Sequence, residues 1–317
     1  MPQAETPGAG KARTARLRWW TELPLILLVY GSYSAGRLLA RGDVSDAVDH
    51  GLAILRLEKL LHIDAEHPLN RLFTRDAWLG IPADFWYASL HYLVTPALLI
   101  WLFRRRAERY RAARTWLMTS TFIGLIGFTL LPTCPPRLLS PGNGFVDTMA
   151  HYSSYGWWGG DASAPRGLGG MTNQYAAMPS LHVGWALWCG VMLWRHGRTR
   201  WAKAAAVVYP LLTALVVMGT ANHYLLDAVA GVAVMGVGLL LSRPLSRAVD
   251  VVRARLLPRS APVTAAPQTS GSSIVSAGCQ TSTGERIPRQ RISRTGPGAE
   301  PGASPADAGD GAPAATR

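Results

Sequence analysis

The chain has 317 residues, is 49% hydrophobic and only 16% charged, and its apolar residues fall in long blocks, a composition that points away from a soluble domain and towards a membrane protein. Its net charge of +13 is held in short clusters between those blocks, so nucleic acid is a poor partner and membrane topology the better cause. The three cysteines, Cys134, Cys189 and Cys279, support neither a disulfide framework nor a zinc site. No Asp, Glu or His cluster has metal-ligand spacing, so neither a metal nor another cofactor is expected.

In chain order, residues 1–20 form a basic flank expected to be disordered. Six apolar segments follow, at 23–39, 85–103, 116–131, 175–194, 204–220 and 224–241, most of them close to the ~20 residues a helix needs to cross hydrocarbon. The third is short, and the fourth spans only if its helix starts near Met178. The first lacks a small-residue cleavage site and reads as a retained span. Between the first two, residues 43–66 place Val44, Val48, Leu52 and Leu55 at helical spacing, predicting an amphipathic helix that lies on the outer membrane surface or caps the bundle. Residues 139–174 are long for a connection and rich in Gly, Ser and Pro, which favours a functional lid. From Pro258 to Arg317 the composition is that of a disordered tail. The expectation is an all-α, polytopic membrane protein: a six-helix catalytic domain over 21–245, an outer amphipathic helix and a disordered C-terminal tail. Arginine outnumbers lysine, as in GC-rich bacterial genomes.

Arginine also sets orientation. It is concentrated in the N-terminal flank, in "RRRAERYRAAR", in "RHGRTRWAK" and after the last span, whereas residues 132–178 hold only Arg137 and Arg166. The positive-inside rule then makes both termini cytoplasmic in a plasma membrane and turns the intervening loops outward.

With that topology, residues far apart in sequence arrive at one depth. Arg137 follows the third span in "PTCPPRLL", His182 opens the fourth in "MPSLH", and His223 and Asp227 open the sixth in "NHYLLD". Ionisable groups in membrane segments are functional candidates by default. Four residues apart on a helix, Asp227 can fix His223 as one tautomer and leave the other nitrogen as a nucleophile or base. Pro179 and Ser180 favour a helix start, whose free N–H groups attract phosphate, and a phosphate dianion bound there would push His182 towards its protonated, acid form. Arg137 supplies a planar cation that grips two phosphate oxygens. Taken singly, His182 reads as well as a cap or packing residue, and His223 with Asp227 as a structural pair; the clustering favours catalysis. Asn222 and Ser180 read either as phosphate donors or as caps. For His91 a bundle-packing role is favoured over contact with the site. Trp157, Trp158, Trp185, Trp188 and Trp194 read as interfacial anchors.

These motifs resemble the type 2 phosphatidic acid phosphatase superfamily, the lipid phosphate phosphatases that share a site with vanadium haloperoxidases. "PSLH" (179–182) matches the family's PSGH with Leu181 in place of glycine, and "HYLLD" (223–227) matches HxxxD. The resemblance implies that His223 attacks phosphorus, Asp227 orients it and His182 protonates the leaving oxygen. It also implies a membrane lipid phosphate as substrate. The chain departs from the family's KxxxxxxRP, with Leu130 at the lysine and Leu138 at the proline, and the SR pair falls on Val216 and Val217. Arg166 or backbone N–H groups are the candidate replacements for the missing cations. "PPR", "AAMPSLHVGWA" and "NHYLLDAVAG" are similar to the branch of inositol phosphorylceramide synthase, which moves a phospho-headgroup between lipids. The expected activity is therefore a lipid phosphate phosphatase or phospho-headgroup transferase working through a phosphohistidine. A transporter and an inactive lipid-phosphate binder are the alternatives, and neither acceptor nor oligomeric state is legible.

Overall fold

The computed structural model describes residues 19–39, 43–158 and 173–256. Residues 1–18 of the basic flank, Arg166 and the tail from Pro258 lie outside the described residues, while Trp19 and Trp20, the end of the flank expected to be disordered, are helical. The described residues form helices α1 (Trp19–Leu39), α2 (Val44–Leu60), α3 (Glu66–Arg75), α4 (Ala77–Arg105), α5 (Ala107–Leu130), α6 (Thr148–His151), α7 (Leu181–His196), α8 (Arg200–Gly219) and α9 (Leu225–Leu256). Two short 3₁₀ turns, Pro136–Leu138 and Pro141–Asn143, follow α5. Among these residues the only β pairing is an isolated bridge between Thr133 and Ala176. The all-helical expectation holds.

Three of the described helices, α4, α8 and the Leu225–Val252 part of α9, are long and apolar enough to cross a membrane. They mark a membrane protein. Their outward faces carry bare apolar side chains, as on α8 with Val207, Val208 and Leu211, which suits a hydrocarbon solvent.

Several helix bounds differ from the sequence expectation, α9 for one running on to Leu256, and four helices show the physical reason. The apolar run of α4 continues back through "AWLGIPAD", so the helix starts at Ala77 rather than near 85. α5 is longer than its apolar segment because "AERYRAAR" has good helix formers and adds two turns before Thr115. α7 does not begin near Met178. Ser180 takes extended backbone and accepts from Val183 N, so the helix starts at Leu181 and its 16 residues rise about 24 Å. α2 ends at Leu60, and its buried stripe is Ala47, Gly51, Ile54, Leu55 and Glu58; of the expected face Leu55 is buried, Val48 and Leu52 pack at its edge, and Val44 is exposed. The stripe is rotated because α2 must approach closely: a Cβ on Gly51 would stand 2.6 Å from the Cys134 carbonyl oxygen.

The main core joins α4, α5, α7, α8 and α9 around Leu102, Trp116, Trp188, Tyr209 and Met235. Trp188 and Trp158 are not interfacial anchors. Both are fully buried, with their indole N–H groups donated to the carbonyls of Ala113 (3.1 Å) and Met149 (2.9 Å), which removes the need for a wet edge. Trp157 and Trp194 are exposed, in keeping with the anchor reading. Along α5 and α7 the contacts run antiparallel: Ala113 meets Trp188, Thr121 meets Trp185, Gly124 meets Leu181 and Gly127 meets Pro179. The start of α7 therefore lies beside the end of α5, away from the arginine-rich α4–α5 junction. Glu22 and Arg114 form an ion pair that ties α1 to α5.

α7 and α9 meet through glycine. A Cβ on Gly231 would collide with the Ser180 carbonyl oxygen, whereas Gly236, one and a half turns further along α9, faces open space. Gly231→Ala is expected to cost about 1–3 kcal/mol through overpacking, and Gly236→Ala to be neutral or to add up to about 1 kcal/mol of helix propensity. Thermal unfolding in detergent, followed by tryptophan fluorescence, reads both; equal shifts for the two variants would refute this contact.

Candidate active site

Three irregular segments meet at the end of the bundle where α7 and α9 begin, and backbone hydrogen bonds lace them together. Thr133 N donates to Tyr175 O (2.7 Å) and Ala177 N to Thr133 O (3.2 Å). Arg137 N donates to Ala221 O and Ser180 N to Asp227 O, each at 2.9 Å. Arg137, His182, His223 and Asp227 are thereby brought into one place, as their expected common depth requires.

His223 stands in the turn between α8 and α9, two residues before α9, and is almost fully buried. Its Nδ1 lies 2.8 Å from the Ala177 carbonyl oxygen. A carbonyl oxygen only accepts, so Nδ1 carries the proton and Nε2 keeps its lone pair. This amends the orienting role expected of Asp227. The Asp227 carboxylate is fully buried and comes within 3.4 Å of Nδ1, but its Oδ2 accepts from Tyr224 N (2.9 Å) and caps the turn. The pair does not share a helix, since His223 precedes α9. Asp227 supplies a negative charge beside the ring, and Ala177 fixes the tautomer.

The turn is itself constrained. Ala221 has φ of +54°, the left-handed region, which costs a residue with a Cβ on the order of 1–3 kcal/mol. Asn222 N and His223 N both donate to Val217 O at 3.0 Å, holding the turn in that form.

His182 lies in the first turn of α7 with its ring centre 5.6 Å from that of His223. α4 flanks it on two sides. Tyr87 stacks on the ring at 4.5 Å and His91 meets it edge-on at 4.4 Å. His91 is therefore a neighbour of the site and not simply a packing residue. A protonated His182 gains from the Tyr87 face as a cation does over any aromatic ring.

Arg137 sits in the first 3₁₀ turn with its side chain only 4% exposed. Nε donates to Asn222 Oδ1 (2.9 Å) and Nη1 to Asp147 Oδ2 (3.0 Å), so two of its five N–H groups are committed to aiming it. Asp147 Oδ1 in turn accepts from Ala150 N and caps α6. The Asn222 amide group donates to Thr220, and its oxygen belongs to Arg137; its place is that of an Arg137 holder beside the candidate nucleophile. Ser180 is fully buried and caps α7 through a 3.5 Å bond to Val183 N. Leu181 turns away from the histidines into a notch on α5, where a Cβ on Gly124 would stand 2.6 Å from Leu181 Cδ2. The family's glycine is absent from this loop, and a glycine on the facing helix makes the room. Leu130 is exposed at the end of α5, and Val216 and Val217 are buried in α8, so none of the three positions places a cation here.

Sequence reasoning missed Tyr87, Asp147 and Ala177. Tyr87 and His91 carried a signal, because with Asp84 they form a polar stripe at spacings of three and four along an otherwise apolar helix. Asp147 precedes a short helix as a cap residue would. A backbone carbonyl has no sequence signature.

A family model described as the PAP2 superfamily matches residues 52–241, which include every described residue of the site. Comparison with curated proteins found no match, and comparison with solved structures found none.

Proposed function

The chain belongs to the PAP2 superfamily, whose members are typically phosphatases, and from that premise we propose that it is an integral membrane enzyme that cleaves a phosphate ester of a membrane lipid through a phosphohistidine at His223. The observation that carries this reading is the 2.8 Å contact of His223 Nδ1 with the Ala177 carbonyl, which leaves Nε2 as a free lone pair next to His182 and Arg137.

In the first step His223 Nε2 attacks phosphorus, the P–O bond to the leaving group breaks, and protonated His182 gives its proton to the departing oxygen. Positive charge appears on the His223 ring as the P–N bond forms. The buried Asp227 carboxylate 3.4 Å from Nδ1 stabilises it. Arg137 grips the equatorial oxygens, and Asn222 and Asp147 hold it on target. In the second step neutral His182 takes a proton from water or an alcohol, whose oxygen displaces His223 from phosphorus. A phosphatase and a phospho-headgroup transferase share the first step and differ in that acceptor; the likeness of "PPR", "AAMPSLHVGWA" and "NHYLLDAVAG" to the inositol phosphorylceramide synthase-like branch supports the transferase form of the proposal. N–H groups at the start of α7 and Arg166 are the proposed phosphate ligands beyond Arg137, with Ser180 shaping the helix start.

His182→Ala is expected to slow turnover of an alkyl phosphate ester such as phosphatidic acid by about 10²–10⁴-fold. It should slow a nitrophenyl ester far less, because that leaving group needs no proton. His223→Ala should abolish both. Equal losses for the two esters in His182→Ala would remove the general-acid role, and retention of lipid binding without turnover in the wild type would favour the inactive binder.

The topology that goes with this reading has six spans (α1, α4, α5, α7, α8 and α9), the short α7 being completed by the non-helical, largely buried residues 177–180 before it. Both termini are in the cytoplasm, and the site opens on the outer side of the plasma membrane, with α2 over it. It follows from the arginine distribution. A membrane-impermeant maleimide should label Ser140→Cys on intact cells and Arg198→Cys only after lysis, in a background without Cys279. The reverse pattern would invert the orientation.

A further inference from the structure

Two buried acids stand behind the candidate nucleophile and take no part in the chemistry above. Glu58, on the inner stripe of α2, and Glu66, at the start of α3, are both fully buried. Glu58 Oε1 accepts from Leu226 N at 2.7 Å, and the Glu66 carboxyl is its neighbour in the same buried space. Among the described residues neither acid has a cation as ion-pair partner. As two carboxylates they would leave Glu58 Oε2 and both oxygens of Glu66 without a donor. One shared proton supplies it.

The location gives this pair its consequence. Leu226 lies between His223 and Asp227 in chain order, in the first turn of α9, where backbone N–H groups have no partner within the helix. Asp227 covers Tyr224 N, and Glu58 covers Leu226 N. The same helix α2 is fastened to the facing segment: Cys134 N donates to Ala47 O (2.9 Å), and Tyr224 OH to Cys134 O (3.0 Å), with Gly51 against both.

We propose that Glu58 and Glu66 form a hydrogen-bonded carboxyl pair that positions the turn carrying His223 and Asp227, acting through Leu226 N and not on the substrate. The proposal rests on His223 being the nucleophile. The groups facing Glu58 are Glu66 from α3, and Tyr224 and Asp227 from the start of α9. All are neutral or negative. Burial foremost, then the hydrogen bond from Glu66 and the negative charges of Glu66 and Asp227, push Glu58 up to about 9, against the opposing pull of Leu226 N–H. At neutral pH Glu58 is thus a carboxylic acid that donates to Glu66 and accepts from Leu226. Loss of its proton would put a second carboxylate against Glu66 and next to Asp227 and loosen its hold on the turn.

The linkage has a definite sign. The unfolded Glu58 releases its proton near 4.5 and the folded one near 9, so the folded state binds the extra proton between these values. Stability contributed by this group therefore falls as pH rises through that window and levels off above it. Thermal unfolding of the full-length protein in detergent, from about pH 5 to about pH 9, should show this slope in the wild type and a shallower one in Glu58→Gln. Glutamine still accepts from Leu226 N and donates to Glu66. With short-chain phosphatidic acid in micelles, Glu58→Gln should retain kcat at neutral pH, and Glu58→Leu should lose kcat roughly tenfold or more with little change in KM. An unchanged slope in Glu58→Gln overturns the pair, and so does a Glu58→Leu protein with wild-type kcat. If Glu58→Leu fails to fold, the Glu58→Gln slope decides. A wild-type protein that turns over no lipid phosphate would sink the functional reading alone, since the unfolding slope is read without turnover.

Discussion

The contact between His223 Nδ1 and the Ala177 carbonyl, 2.8 Å long, is the constraint through which the fold reaches the proposed chemistry. A neutral imidazole offers one lone pair, and this contact decides which nitrogen has it. The acceptor is held from its other side, because the N–H of Ala177 is bonded to Thr133 O, and Thr133 N–H to Tyr175 O. Ser180 N–H closes the circuit on Asp227 O. The segment before α7, the segment after α5 and the turn before α9 are thus one object. A shift of any one of them turns the His223 ring.

The same lacing explains how so many polar groups sit at the end of an apolar bundle. Arg137 is offset by Asp147 and aimed by Asn222; Asp227 is partly offset by Tyr224 N–H and by the edge of the His223 ring. His182 has an aromatic face on one side and an imidazole edge on another. Buried polar groups are tolerable only when so partnered. The cost appears in the backbone, where Ala221 is held in a left-handed conformation directly before Asn222 and His223.

Much of this was legible in the sequence, and the remainder has identifiable causes. The main helices, the meeting of Arg137, His182, His223 and Asp227 at one end of the bundle, and the capping role of Ser180 follow from apolar blocks, charge bias and capping chemistry, which are local signals. The rotation of α2 was not legible, because its stripe is set by how closely Gly51 approaches Cys134 and not by hydrophobicity. The burial of Trp158 and Trp188 was missed because an indole with a satisfied N–H looks in sequence like one at an interface. The role of Leu181 depended on Gly124, more than fifty residues earlier on another helix. The tautomer of His223 depended on a main-chain oxygen, which any residue could supply.

The central claim is a covalent bond between phosphorus and His223. Purified protein incubated briefly with a lipid carrying labelled phosphate and quenched in alkali tests it most directly, since a phosphoramidate survives base and is lost in acid. The account predicts label on the peptide containing residue 223, removed by acid and absent in His223→Ala, and more of it in His182→Ala with a nitrophenyl donor, where formation outlasts breakdown. Turnover without label at 223, or label that persists in His223→Ala, would contradict it.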